Sequence, residues 1–127
     1  MRLRLGLFVA ACFALAFPCS TSAQQVISDP NIIHSQYRAN KINALDRYNN
    51  KNFTVVGIVD DVEMGYVQID SRVPLGGSVY CRFTNNIAEI SRLRPNQRVY
   101  ATGRLVLTGK SMGRLHVDVM GCKITPQ

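Results

Sequence analysis

Hydrophobic and polar positions recur along this chain with two different periods, and the change of period marks its elements. From Ser35 to Asn49 the spacing is helical: Tyr37, Lys41, Ala44 and Tyr48 fall on one face, with Ile42 and Leu45 widening the stripe. Ser35 reads as the N-cap and Asn49-Asn50 as the stop. After Lys51 the period becomes two. Phe53, Val55, Gly57 and Val59 alternate with Thr54, Val56, Ile58 and Asp60, which gives a first strand. Its outward side is apolar at Val56 and Ile58, so the N-terminal helix is expected to cover that side.

Asp61 to Gly65 reads as a turn, and Tyr66 to Asp70 as a second strand with clean alternation. A loop with Pro74 and Gly76-Gly77 leads to a third strand, Ser78 to Phe83, with Val79, Cys81 and Phe83 on one face. Asn85 to Leu93 reads as a short helix, capped by Asn85 or Asn86 and facing inward with Ile87, Ile90 and Leu93. A fourth strand spans Arg98 to Thr108, a glycine-flanked turn follows at Gly109 to Gly113, and a fifth strand runs from Arg114 to about Ile124.

This order, helix, three strands, short helix, two strands, has too few strands for a seven-stranded sandwich. It predicts an all-β fold with helical additions: a five-stranded OB-fold Greek-key barrel with the N-terminal helix packed on it. The short helix between strands three and four is placed to plug an open barrel end, and mid-strand Gly57 and Gly103 suit tight bends. An open α+β sheet is the competing architecture.

The first residues follow a different logic. Arg2 and Arg4 precede an apolar run of 13 residues from Leu5 to Phe17, and a polar, small-residue stretch ends at Ala23. That is the three-part pattern of a secretory signal peptide over residues 1–23, cut after Ala23. Residues 24–34 then read as a loose leader and 35–127 as the barrel domain. Two competing forms are an uncleaved anchor and lipidation at Cys12 within Val9-Ala10-Ala11-Cys12. The first is disfavoured by a run too short to span a bilayer, the second by the short apolar region left before the cut. The expected location is the periplasm or the extracellular space, with no integral span in the mature chain.

Composition narrows the classes further. Apolar residues are 46% and charged residues 18%, which is neither disordered nor collagen-like usage. Without its first 23 residues the chain keeps 13 basic and eight acidic side chains, a net +5 that attracts anions weakly. No basic run marks a nucleic-acid binder. Two cysteines remain, Cys81 and Cys122, in a compartment that favours a bridge. Cys81 shares parity with inward Val79 and Phe83. Strict alternation after Leu115, Val117 and Val119 would send Cys122 outward, but one extra residue at Met120-Gly121 turns Cys122 and Ile124 in. Strands three and five are neighbours in such a barrel, so a Cys81–Cys122 disulfide is predicted over two separate buried thiols. The absence of a Cys-x-x-Cys pair argues against a redox role.

Catalytic chemistry finds little support. His116 and Asp118 share the outward face of strand five, but the nearest hydroxyl in sequence, Ser111, lies in a turn with nothing to place it. Asp60, Asp61 and Glu63 lack the spacing of a calcium loop, and no cofactor or metal is expected. Binding is better supported. An OB barrel uses the face of strands two and three with the loops joining strands one–two and four–five. That face would present Tyr66, Gln68, Tyr80 and Arg82, with Arg104, Lys110 and Arg114 towards the second loop. Aromatic rings beside guanidinium groups stack on bases or sugars and pair with phosphates, whereas an ordinary Tyr66–Tyr80 cross-strand pair is the plainer account.

The residues Tyr37, Asn40, Ala44, Tyr48 and Lys51, then Val55-Val56-Gly57, Val79-Tyr80-Cys81-Arg82-Phe83, the Val99 to Gly103 strand and Gly121-Cys122-Lys123-Ile124, resemble the tRNA-anti-like family. The resemblance covers about Tyr37 to Ile124 and rests on order and spacing. It implies small exported or lipoprotein OB-fold domains related in fold to anticodon-binding domains; it implies neither tRNA binding nor catalytic residues. The reading of the chain is thus an exported, non-catalytic OB-fold module that engages a protein or envelope component. The alternatives are an oligonucleotide or anionic-glycan binder, lectin-like subunits included, and a small hydrolase built on His116 and Asp118.

Overall fold

A computed structural model describes residues 25–85 and 87–127. The signal peptide read over residues 1–23, and Asn86 as a helix cap, lie outside the described residues. The elements are β1 (Val26–Ile27), α1 (Pro30–Ala39), α2 (Lys41–Tyr48), β2 (Asn52–Val62), β3 (Tyr66–Asp70), β4 (Ser78–Arg82), α3 (Ile87–Ile90), β5 (Arg98–Gly109) and β6 (Leu115–Pro126). A short 3-10 turn, Ser111–Gly113, joins the last two strands.

Alternation in β2 to β6 closes the sheet on itself. β3 pairs antiparallel with β2 and β4, β4 runs parallel to β6, β6 pairs antiparallel with β5, and β5 returns antiparallel to β2. Around the barrel the order is β2-β3-β4-β6-β5 and back to β2. This is the five-stranded OB-fold barrel, with one extra strand and three helices among the described residues. The inward residues form one core: Val55 and Val59, Val67 and Ile69, Val79 and Cys81, Val99 and Leu105, Val117 and Val119 are all fully buried.

The bulge expected in the last strand is present. Thr102 faces Lys123 and Arg104 faces Met120, so Gly103 alone opposes Gly121 and Cys122. Gly121 takes the left-handed conformation, φ 58°, that such a bulge asks of its first residue. Gly103 gives the room: a Cβ there would lie 2.5 Å from the Met120 carbonyl oxygen. The extra residue turns Cys122 inward, and Cys81 and Cys122 are joined by a disulfide. Both are buried.

The N-terminal region differs from its expected form in three ways. Helix formation starts at Pro30, not Ser35, because Asp29 accepts a hydrogen bond from the Asn31 N–H at 2.8 Å and Pro30 takes a position that needs no N–H. One helix is really two. Asn40 ends α1 in extended backbone and caps α2 by accepting from the Asn43 N–H at 3.0 Å, a local bond that competes with helix continuation. Residues read as a leader also supply β1, whose Val26 and Ile27 run parallel to Thr54 and Val55.

The helices contribute to the barrel core. Ile33, Tyr37, Ala44 and Tyr48 belong to the same core as the inward strand residues, and Tyr48 packs on Phe53 with ring centroids 5.4 Å apart. Val56, on the outward side of β2, is buried as expected of a covered face, and is paired across the sheet with Tyr100. Near Val62, Phe83, Ile90 and Leu93 close the core from the other side. Ile87, expected to face inward, is 64% exposed: α3 is a single turn, and its first residue overhangs a shallow groove beside Val62 and Met64.

Candidate binding face and adjoining cleft

The outward residues of β3 and β4 come into register because their inward neighbours are fixed in the core. Tyr66 lies opposite Arg82, Gln68 opposite Tyr80 and Asp70 opposite Ser78. The parallel pairing of β4 with β6 sets Tyr80 against Asp118 and Arg82 against Met120. Tyr66, Gln68, Tyr80 and Arg82 therefore form one surface, as the alternation implied, and β6 extends it with His116 and Asp118.

This surface satisfies much of its own chemistry. Tyr66 meets Tyr80 edge to face, with centroids 5.7 Å apart, and Tyr80 stacks on His116 at 4.6 Å. The Arg82 guanidinium lies 5.3 Å from the centre of the Tyr66 ring and donates to Asp118 at 2.9 Å. The same Asp118 oxygen accepts from His116 Nε2 at 3.1 Å. Gln68 donates to Asp70 at 3.1 Å, and the Ser78 hydroxyl donates to Asp70 at 2.6 Å. Burial, then the negative charge of Asp70, raises the Tyr80 phenol above the usual tyrosine value, so it stays a hydrogen-bond donor.

The basic residues expected beside this face divide. Arg104 stands one strand beyond Met120, the register partner it shares with Arg82, and away from the β5–β6 connection; its guanidinium donates to Asn50 Oδ1 at 3.0 Å. Lys110 and Arg114 do adjoin the face. The Lys110 N–H donates to the Arg114 carbonyl at 2.7 Å, closing the β5–β6 connection so that both side chains stand at the same mouth. Together with His34, Ser78, Tyr80 and His116 they line a cleft of about 520 Å³.

His34 is the residue the sequence reading placed in a leader without a role. It projects from α1 and its Nε2–H donates to the Ser78 carbonyl at 2.8 Å, across 44 positions of chain. Gly77 leaves the room for this approach, since a Cβ there would collide with the imidazole. Burial lowers the His34 pKa from the ordinary imidazole value; the bond to Ser78 opposes the change, and nearby Arg38 and His116 add to it. A histidine held neutral stabilises the fold fully above its unfolded value of about 6.5, and that contribution is lost as pH falls through the lower folded value. Urea denaturation across this range is therefore expected to show the protein losing stability below about pH 6.5 more steeply than its His34→Gln variant. Coincident slopes would show that His34 is not held neutral.

A closed OB barrel with a helical plug, an aromatic outer face and a basic cleft beside it is the class of molecule these features define. No protein-family model matches the chain, and no curated protein matches it. Among the described residues no group of three or more histidine, cysteine, aspartate or glutamate side chains is arranged to hold a metal ion.

Proposed function

We propose that the protein is an exported, non-catalytic OB-fold binding module that recognises a protein or envelope component through the outer face of β3, β4 and β6. The observation that carries this reading is the ordered surface of Tyr66, Tyr80, His116 and Arg82, held by ring packing and the Asp118 bonds. Prior ordering lowers the entropic cost of binding. Export is supported by the buried disulfide, a bond that persists in oxidising compartments, and no helix among the described residues is long and apolar enough to cross a membrane. Membership of the tRNA-anti-like family belongs to the same proposal.

The non-catalytic part has its own support. Asp118 shares one oxygen between His116 and Arg82, and the serine beside this pair, Ser78, gives its hydroxyl proton to Asp70 rather than to an imidazole. An activated nucleophile needs the opposite arrangement. The alternative of an anionic ligand gains from Lys110 and Arg114, whose side chains form no ion pair among the described residues.

The test is capture from envelope extracts by the immobilised protein, compared with a Tyr80→Ala/Arg82→Ala variant of unchanged circular dichroism. A captured component is expected to fall at least about tenfold with the variant, as loss of one central aromatic or arginine anchor commonly costs. Equal capture by both proteins would remove this face from the function.

A further inference from the structure

The cleft between α1 and the β5–β6 connection differs from the aromatic face in being unsatisfied. Lys110 and Arg114 bring two fixed positive charges to its mouth, and no described acidic side chain pairs with either. Its two imidazoles are both tied at Nε2 to an oxygen that accepts: His34 to the Ser78 carbonyl at 2.8 Å, His116 to the Asp118 carboxylate at 3.1 Å. A carbonyl cannot donate, so His34 carries its proton on Nε2 and leaves Nδ1 as the nitrogen that gains a proton in acid. Protonation would thus turn Nδ1 from acceptor to donor and add a positive charge to the cleft.

We propose that this cleft is an oxyanion site that takes the phosphoryl group of its ligand, gripped by Lys110 and Arg114, with His34 strengthening the grip as it becomes protonated. The inference rests on the reading of this end of the barrel as the recognition surface and adds the ligand class. Several lines favour a tetrahedral oxyanion. An arginine fork and a lysine ammonium at one mouth suit a group with several oxygens. Tyr80, whose hydroxyl stays protonated, is a further lining residue of the cleft. A stacked base is disfavoured because Tyr80 is already stacked on His116 and meets Tyr66 edge to face. A metal cation is disfavoured by the charges of Lys110 and Arg114.

The groups around His34 set the direction of the pH response. Arg38 on its own helix and His116 on β6 oppose its protonation, and Lys110 and Arg114 from the β5–β6 connection are the further positive groups of the cleft. Asp118, bonded to His116, and Asp70, bonded to Ser78, are the acidic groups on β6 and β3 nearest the cleft wall, and each is already engaged. A bound dianion supplies the missing negative charge, so ligand and proton bind cooperatively.

Sulfate is the first probe, because its charge is constant across the range in which imidazole titrates. Followed by amide and histidine resonances in solution, sulfate is expected to perturb His34, Lys110 and Arg114, and to bind at least about tenfold more tightly near pH 5.5 than near pH 8. Lys110→Ala/Arg114→Ala should weaken binding about tenfold or more at both values, while Lys123→Ala, which removes a positive charge elsewhere on β6, should leave it unchanged. His34→Gln should flatten the pH dependence.

Glycerol phosphate and vesicles of phosphatidylglycerol in phosphatidylcholine then separate a soluble ligand from a lipid headgroup. Binding of either that is lost in the Lys110→Ala/Arg114→Ala variant upholds the site and names its source. Sulfate binding that ignores pH, or survives in that double variant, overturns the proposal. If it fails while Tyr80→Ala/Arg82→Ala still abolishes capture of a partner, the recognition face stands without an oxyanion site. If neither has any effect, both readings fall.

Discussion

Removing the Cys81–Cys122 bridge is expected to cost about 4 kcal/mol, the chain-entropy value for a closed loop of this length. The two cysteines are 41 positions apart, and they tie β4 to β6 where only three residue pairs are in register. The other joints of the barrel are longer antiparallel ladders, up to the β5–β6 pairing that runs from Val99–Pro126 to Gly109–Leu115. A short parallel joint is the weakest place to close a barrel, and the bridge lies there. For a domain near 100 residues, about 4 kcal/mol lowers the melting temperature by roughly 15–30 °C. Cys81→Ala/Cys122→Ala and the reduced wild-type protein should both show it in thermal and urea denaturation. A loss below about 1 kcal/mol in both would mean that packing alone holds β4 to β6. The joint also sets Tyr80 against Asp118 and Arg82 against Met120, so reduction should weaken partner capture along with stability.

The strands were legible because a barrel wall has a period of two and a single buried face. Val67 and Ile69 inside, with Tyr66 and Gln68 outside, follow directly from that. Even the bulge was readable, since Cys122 and Ile124 stood at the wrong parity and Gly121 lay where the correction had to occur. Other features had no comparable signal. Asp29-Pro30 is both a turn pair and a helix start, and only the docking of Ile33 decides between them. Asn40 falls within a helical pattern, and its bond to the Asn43 N–H breaks the helix without altering that pattern. β1, at two residues, is too short to show any period.

The candidate site divides along the same line. Tyr66, Gln68, Tyr80 and Arg82 were found by strand parity, because one register brings them all together. Arg104 shares the outward parity of its strand and lies across Met120 from Arg82, but its guanidinium is bonded to Asn50 just after α2, which parity cannot foresee. The bond from His34 to Ser78 joins a helix to a strand across 44 positions and depends on how α1 packs, for which the sequence offers no spacing rule.

Ile33→Ala tests whether that helix belongs to the fold. Ile33 is fully buried: it lies in the core with Tyr37, Ala44 and Tyr48, and its helix starts at a formed cap. Truncating a buried isoleucine leaves a cavity as well as removing apolar contact, and about 3 kcal/mol of stability is expected to go. Ile42→Ala, on the exposed side of α2, should change stability by no more than about 0.5 kcal/mol. The contrast between these two isoleucines, measured by urea denaturation, separates an integral plug from a leader resting on the barrel; equal small effects would favour the leader. Because α1 also carries His34 to the Ser78 carbonyl, the Ile33→Ala protein should lose part of the cleft wall. Its sulfate affinity is then expected to respond less steeply to pH than that of the unmodified protein, which links the core under the helix to the chemistry at the cleft.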